Sequence, residues 1–221
     1  MNKKTNGING MADMSFFVAR ALLKFKTVKL RPEDPFTWVS GWKSPIYCDN
    51  RKIFSHVELR KLVIDQLIEI AKTNFTEFDT VVGVATGAIS PGAIIAYELE
   101  KPFCYVRSEK KDHGLENLIE GVLEPGQKVL IIEDLISTGG SSLKAVEAVR
   151  KAGAEVIGMV AIFSYEFPIA KKAFENTGVV LKTLSNYSSL LDAAIKDSYI
   201  KQDDLDVLKK WRLAPDIWKK Q

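Results

Sequence analysis

The densest chemistry in the chain lies in Glu133-Asp134-Leu135-Ile136-Ser137-Thr138-Gly139-Gly140-Ser141. The two acids repel anions but accept hydrogen bonds, which suits the diol of a sugar. Ser137, Thr138 and Ser141 offer hydroxyl donors, and Gly139 and Gly140 let the backbone approach an anion closely. Before the acids stand Val129-Leu130-Ile131-Ile132, four consecutive apolar residues that read as a strand buried on both faces. After Ser141, apolar residues at 145/146, 149 and 152 recur at helical spacing. A helix opening near Ser141 adds free N–H groups and the positive end of its dipole. Strand, acidic pair, small-residue loop and helix together predict a site for a sugar carrying a phosphate. The plainer alternative is a buried strand, an ordinary helix and two solvated acids. Other phosphate motifs are missing: no P-loop ending follows a glycine, and no strand leads into G-x-G-x-x-G.

Two further stretches bear on the same ligand. Gly83-Val84-Ala85-Thr86-Gly87-Ala88-Ile89 ends another apolar run, and its Ala85, Thr86 and Gly87 can present amides to a second anion such as pyrophosphate. Glycines also make ordinary strand–helix turns, so this stretch gains weight only from lying one strand–helix unit before the acids. Arg107-Ser108-Glu109-Lys110-Lys111-Asp112-His113-Gly114 concentrates cations in an otherwise balanced chain and holds one of its 2 histidines. It sits in a connection long for a compact domain, as mobile functional loops are. Read alone, it is a solvated charged loop.

The elements that must position these groups follow from periodicity. Apolar runs at Phe78–Val84, Phe103–Val106, Lys128–Ile132, Glu155–Phe163 and Val179–Leu184 read as strands. Helical patterns occupy Asp13–Lys24, Ser55–Asn74 with Ser55 as N-cap, Pro91–Leu99, Ile169–Asn176, Ser189–Lys196 and Gln202–Lys210. Strands alternating with helices predict an α/β fold with a parallel sheet, whose ligands sit beyond the carboxyl ends of the strands. Thr27–Leu30 and Phe36–Val39 read as short strands, and Ser40 to Arg51 is an aromatic-rich segment that either covers a ligand or packs on the core. The divisions are a disordered tail at 1–11, an N-terminal helix and hood at 12–54, a core at 55–200, and a C-terminal helix and tail at 201–221.

The acids and loop resemble the phosphoribosyl-pyrophosphate (PRPP) signature of the type I phosphoribosyltransferases. Arg107-x-x-x-Lys111-x-His113-Gly114 is similar to the mobile loop peculiar to the orotate phosphoribosyltransferases, and Ser44-Pro45-Ile46-Tyr47 fits their bacterial members. The resemblance implies a central five-stranded parallel sheet with a small N-terminal hood, and transfer of phosphoribosyl from PRPP to orotate with Mg²⁺ in pyrimidine biosynthesis. It implies that Arg107, Lys111 and His113 serve the pyrophosphate side catalytically, with Asp134, and that Glu133 and Asp134 hold the ribose and, through water, the metal. It further implies that residues 137 to 141 cradle the 5-phosphate, with Leu135 and Ile136 in the same binding stretch, that Ser137 touches orotate, and that a homodimer shares the 107–114 loop. The chain departs from some members: Ser108 replaces a second lysine, Thr86 and Gly87 stand in a turn that elsewhere carries one, Val39 precedes the Ser-Gly of the hood, and Phe163-Ser164-Tyr165-Glu166 lacks an arginine. The alternatives are a purine or uracil phosphoribosyltransferase and a PRPP-sensing regulator.

With 221 residues, 46% hydrophobic and 27% charged, the chain can bury a full core. A net charge of +3 does not argue for nucleic acid, and no apolar run approaches a membrane span. Cys48 and Cys104 have no metal-ligand spacing and are expected as reduced thiols of a cytoplasmic protein.

Overall fold

Strands rich in Val and Ile that are buried on both faces need covering helices, and the chain supplies one between most consecutive pairs. The computed structural model describes residues 10–75, 77–108 and 118–219. In order, the elements are α1 (Gly10–Lys24), β1 (Val28–Leu30), β2 (Phe36–Thr37), β3 (Lys43–Ser44), β4 (Ile46–Cys48), a 3-10 turn (Asn50–Ser55), α2 (Val57–Asn74) and β5 (Thr80–Val84). There follow α3 (Ile89–Glu98), β6 (Phe103–Val106), β7 (Ile119–Glu120), β8 (Lys128–Ile136), α4 (Gly140–Lys151), β9 (Glu155–Ser164), α5 (Pro168–Thr177), β10 (Leu181–Asn186), α6 (Tyr187–Lys196) and α7 (Asp204–Leu213).

The main sheet has the order β10-β9-β8-β5-β6-β7. Its first five strands are parallel, as expected, and β7 adds a two-residue antiparallel edge on β6. Two residues are too few to show a period, so β7 leaves no signal in the sequence. From β5 the chain steps to β6 on one side, then returns to β8 on the other and continues outward. The reversal puts the switch point of the sheet between β5 and β8, where ligands of such sheets bind.

Strand β8 extends four residues beyond its expected end at Ile132. Strand β9 runs beside it as far as the Ile136–Ser164 pair, whereas β5 pairs with it only as far as Gly83–Ile132. The acids therefore lie on the paired end of a strand, beside a gap opened by the departure of β5. Ser55 does not cap α2: it ends the 3-10 turn, whose closing bond from His56 N to Ile53 O (3.1 Å) makes His56 the N-cap.

The segment from 28 to 48 folds into two small antiparallel pairs, β1 with β4 and β2 with β3. Trp38 packs against Tyr165, Phe167 and Trp211, and Trp211 donates its indole N–H to the Lys43 carbonyl at 3.2 Å. Helix α7 thereby fastens the hood to the end of β9. At the N-terminus, the Ser15 hydroxyl donates to Ser189 Oγ at 2.8 Å and the Ser185 hydroxyl to the Ser15 carbonyl at 2.8 Å, docking α1 on β10 and α6. Helix α1 already contains Gly10 and Met11, assigned above to the tail; residues 1–9 lie outside the described residues.

Among the described residues, Thr80 on β5 is the one with a buried side-chain oxygen lacking a hydrogen-bond partner. Thr80→Val removes that hydroxyl at nearly constant shape. The variant is expected to gain about 1 kcal/mol or more, the cost of an unsatisfied buried hydroxyl, read as a higher urea midpoint with an unchanged slope.

Candidate functional site

Beyond the carboxyl ends of β5 and β8 lies a cavity of about 430 Å³. Three chain segments meet there: Ala85-Thr86-Gly87 after β5, Glu133 to Ser141 at the end of β8, and Cys48 to Arg51 from the hood. The acidic pair, the turn at 85–87 and, from the small-residue loop, Ser137 and Ser141 are thus brought together around one cavity.

The two acids play unlike structural parts. Glu133 is 3% exposed, and both of its carboxylate oxygens are engaged. Oε2 accepts from the Ser142 hydroxyl at 2.8 Å, and Oε1 accepts from the Asp134 N–H at 2.9 Å. Glu133 therefore ties the first turn of α4 to the end of β8. Burial, and then the charge of neighbouring Asp134, push its carboxyl well above the usual carboxylate range. Burial also raises Asp134, against a hydrogen bond with Glu133 and the opposing charge of Arg51. Asp134 lies against the turn after β5: a Cβ at Gly87 would collide with its carboxylate. That close approach is what requires glycine at 87.

The loop from Ser137 turns into α4 at Gly139, where φ is +83° and glycine is the residue that adopts it freely. Gly139 is also the N-cap, so no side chain caps the helix. The first intrahelical bond of this turn runs from Leu143 N to Gly139 O (2.9 Å), which leaves the preceding N–H groups pointing out of the helix end. With Ser137 and Ser141 on the cavity wall, this end of α4 suits a phosphate.

The hood contributes residues that sequence reasoning passed over. Asn50 is 1% exposed. Its amide donates to the Asp134 carbonyl at 2.6 Å, and its Oδ1 accepts from the Cys48 thiol at 3.2 Å. It is the clamp that holds the hood against the signature strand. Burial, with the charges of Asp134 and Asp49, pushes the Cys48 thiol well above its ordinary value, which keeps it a donor. Arg51 also lines the cavity. The one sequence cue is that Ser40 to Arg51 either covers a ligand or packs on the core; which of its residues face inward depends on the 3-10 turn. Its aromatic half does the other task considered for it and packs on the core.

Of the cationic loop, Arg107 and Ser108 line a neighbouring cavity of about 380 Å³ that shares Ala85 and Ser141 with the first. Arg107 Nη1 pairs with Glu120 Oε1 at 3.4 Å. Lys111, His113 and Gly114 lie outside the described residues.

Comparison with known proteins fits this geometry. The chain matches the family described as phosphoribosyl transferase domain over residues 51–186. It is 57% identical over 208 residues to the orotate phosphoribosyltransferase of Phocaeicola vulgatus, covering 94% of this chain and 98% of that one. Identity to the orotate phosphoribosyltransferase of Cytophaga hutchinsonii is 52% over 203 residues, 92% and 97% of the two chains. Among solved structures, orotate phosphoribosyltransferase from Aeropyrum pernix superposes with a TM-score of 0.73 at 29% identity, over 83% of this chain and 99% of that one.

Two outcomes test the site's packing and charge. Gly87→Ala should lose about 1–3 kcal/mol of stability from overpacking against Asp134, seen as a lower denaturation midpoint. For Glu133, a folded-state carboxyl titrating above its unfolded value destabilises the folded protein at neutral pH, and that penalty disappears as pH falls through the raised value. Glu133→Gln should therefore melt higher than the unaltered protein near pH 8, with the gap narrowing as pH is lowered. A gap that widened on acidification would reverse the direction assigned to Glu133.

Proposed function

We propose, from the premise that this chain belongs to the orotate phosphoribosyltransferases of the phosphoribosyl transferase family, that the cavity between β5 and β8 is where PRPP and orotate react. The observation that carries this reading is the meeting, in one cavity, of the acids, the turn after β5 and the uncapped start of α4. PRPP is a ribose with one phosphate at C5 and a diphosphate at C1. The 5-phosphate fits the Ser137 to Ser141 loop, including Thr138 and Gly140, and the ribose hydroxyls fit Asp134. The diphosphate then falls towards Ala85, Thr86 and Gly87. Leu135 and Ile136 carry the backbone between these subsites.

In the reaction the C1–O bond of PRPP breaks, its electron pair leaves with pyrophosphate, and the orotate ring nitrogen forms the new bond to C1 as its N–H proton is given up and taken up by the pyrophosphate. Positive charge develops on the sugar and negative charge on the leaving group. Rate then depends on cations at the leaving group, fixed geometry and exclusion of water. We assign Lys111 to the developing negative charge, Arg107 and His113 to the same anion, and Ser137 to orotate. The 107–114 loop closes over the reactants from the neighbouring subunit of a homodimer, on the strength of its likeness to the family's loop.

Mg²⁺ fits the donor set. Among the described residues no three His, Cys, Asp or Glu side chains form a metal cage. Glu133 is committed at both oxygens, and Asp134 presents a carboxylate at the cavity wall. A hard cation that keeps its waters and takes most ligands from substrate phosphates needs no more than that. When bound, it neutralises phosphate charge. No helix among the described residues is long and apolar enough to cross a membrane. Cys48 and Cys104 are unpaired, which favours a reducing compartment such as the cytoplasm.

The test is PRPP-dependent loss of orotate absorbance with purified protein, with adenine, guanine and uracil as competitors. Lys111→Ala should lower turnover by a factor of about 100 or more, within the range for a lost charge-stabilising donor. PRPP affinity, measured by calorimetry, should change far less. Unchanged turnover would remove Lys111 from the role given to it.

A further inference from the structure

The cavity wall is charged against its ligand. Its described residues include three carboxylates, Asp49, Glu133 and Asp134, and a single cation, Arg51. A ligand carrying two phosphoryl centres at C1 cannot rest beside three acids without positive charge close by. The turn facing it supplies amides and the Thr86 hydroxyl but no cation. Arg107, the nearest described cation of the 107–114 loop, lines the neighbouring cavity instead and is paired with Glu120.

Arg51 is placed to answer that imbalance. Its Nε donates to Asp49 Oδ1 at 2.8 Å, with Asp49 12% and Arg51 65% exposed at the side chain. The half-buried acid thus anchors one edge of the guanidinium. Among the described residues no hydrogen bond occupies Nη1 or Nη2, so the two-pronged edge that suits phosphate oxygens remains presented. The backbone beneath is held rigidly, since the adjacent Asn50 is clamped to the Asp134 carbonyl. Arg51 also lies within electrostatic reach of Asp134, the residue that abuts Gly87 of the turn.

We propose that Arg51, anchored by Asp49, binds the diphosphate of PRPP and of the pyrophosphate product, and supplies the positive charge that the turn at 85–87 lacks. The proposal rests on the placement of PRPP given above. The 5-phosphate has its own donors at the start of α4, which leaves the diphosphate as the anion in need of Arg51.

The experiment measures binding of pyrophosphate and of ribose 5-phosphate, each with Mg²⁺, to the full-length protein and to Arg51→Gln and Arg51→Lys, together with KM for PRPP and for orotate. Arg51→Gln should weaken pyrophosphate at least about tenfold, the scale of a lost charge-assisted hydrogen bond, and raise KM for PRPP in parallel. Ribose 5-phosphate affinity and KM for orotate should stay within about twofold, and Arg51→Lys should recover part of the loss because it keeps the charge without the fork. Unchanged pyrophosphate affinity in Arg51→Gln, or a rise confined to KM for orotate, would overturn the assignment; the latter would make Arg51 the partner of the pyrimidine carboxylate. If the unaltered protein failed to bind ribose 5-phosphate, the placement of PRPP itself would fall, whatever Arg51 does.

Discussion

A carboxylate almost completely withdrawn from water sits where a central strand of the sheet runs into the loop that opens α4. Burying a charge is tolerable only if its oxygens are hydrogen-bonded, and Glu133 meets that condition through Ser142 on one side and the backbone of its own neighbour on the other. The bond to Ser142 pins the first turn of α4, and with it the orientation of the amides that end the helix. The bond to the Asp134 N–H sets the backbone from which Asp134 faces the cavity. The same side chain thus governs both the cavity-facing acid and the first turn of the neighbouring helix. Its raised proton affinity is the energetic trace of that position.

The surrounding structure brings pieces from distant parts of the chain to this point. Strand β5 ends its pairing with β8 at Gly83–Ile132, and the turn that follows swings in against Asp134. The hood is held from two directions. Asn50 links it to the signature strand, and the aromatic group of Trp38, Tyr165, Phe167 and Trp211 links it to β9 and α7. Aromatic contacts of this kind bury large areas with defined geometry, so the hood sits on a firm base although its own strands are only two or three residues long.

Charge is distributed unevenly for an enzyme that handles polyanions. The carboxylates of Asp49, Glu133 and Asp134 share one cavity wall, and the start of α4 beside them offers amides and hydroxyls. Among the described residues the cation on that wall is Arg51, and Arg107 lines the neighbouring cavity.

Much of this could be read from the residues alone. Short β-branched runs alternating with helical patterns read as strands covered on both faces, and an acidic pair followed by Ser, Thr and Gly before a helix has few chemical uses. Local sequence therefore determined the five parallel strands, the strand–loop–helix order around the acids, and the family itself; the left-handed turn at Gly139 was seen only in the structure. Tertiary structure decided what local sequence cannot encode. Which of two adjacent acids turns inward depends on Ser142 arriving from the next helix. The extension of β8 to Ile136 depends on β9 running alongside it. Asn50 and Arg51 reach the cavity because a 3-10 turn, held by contacts 84 positions away in the case of Asn50, points them there. Periodicity and motif spacing are properties of neighbours in sequence, whereas a cavity is made by residues that meet only once the chain has folded.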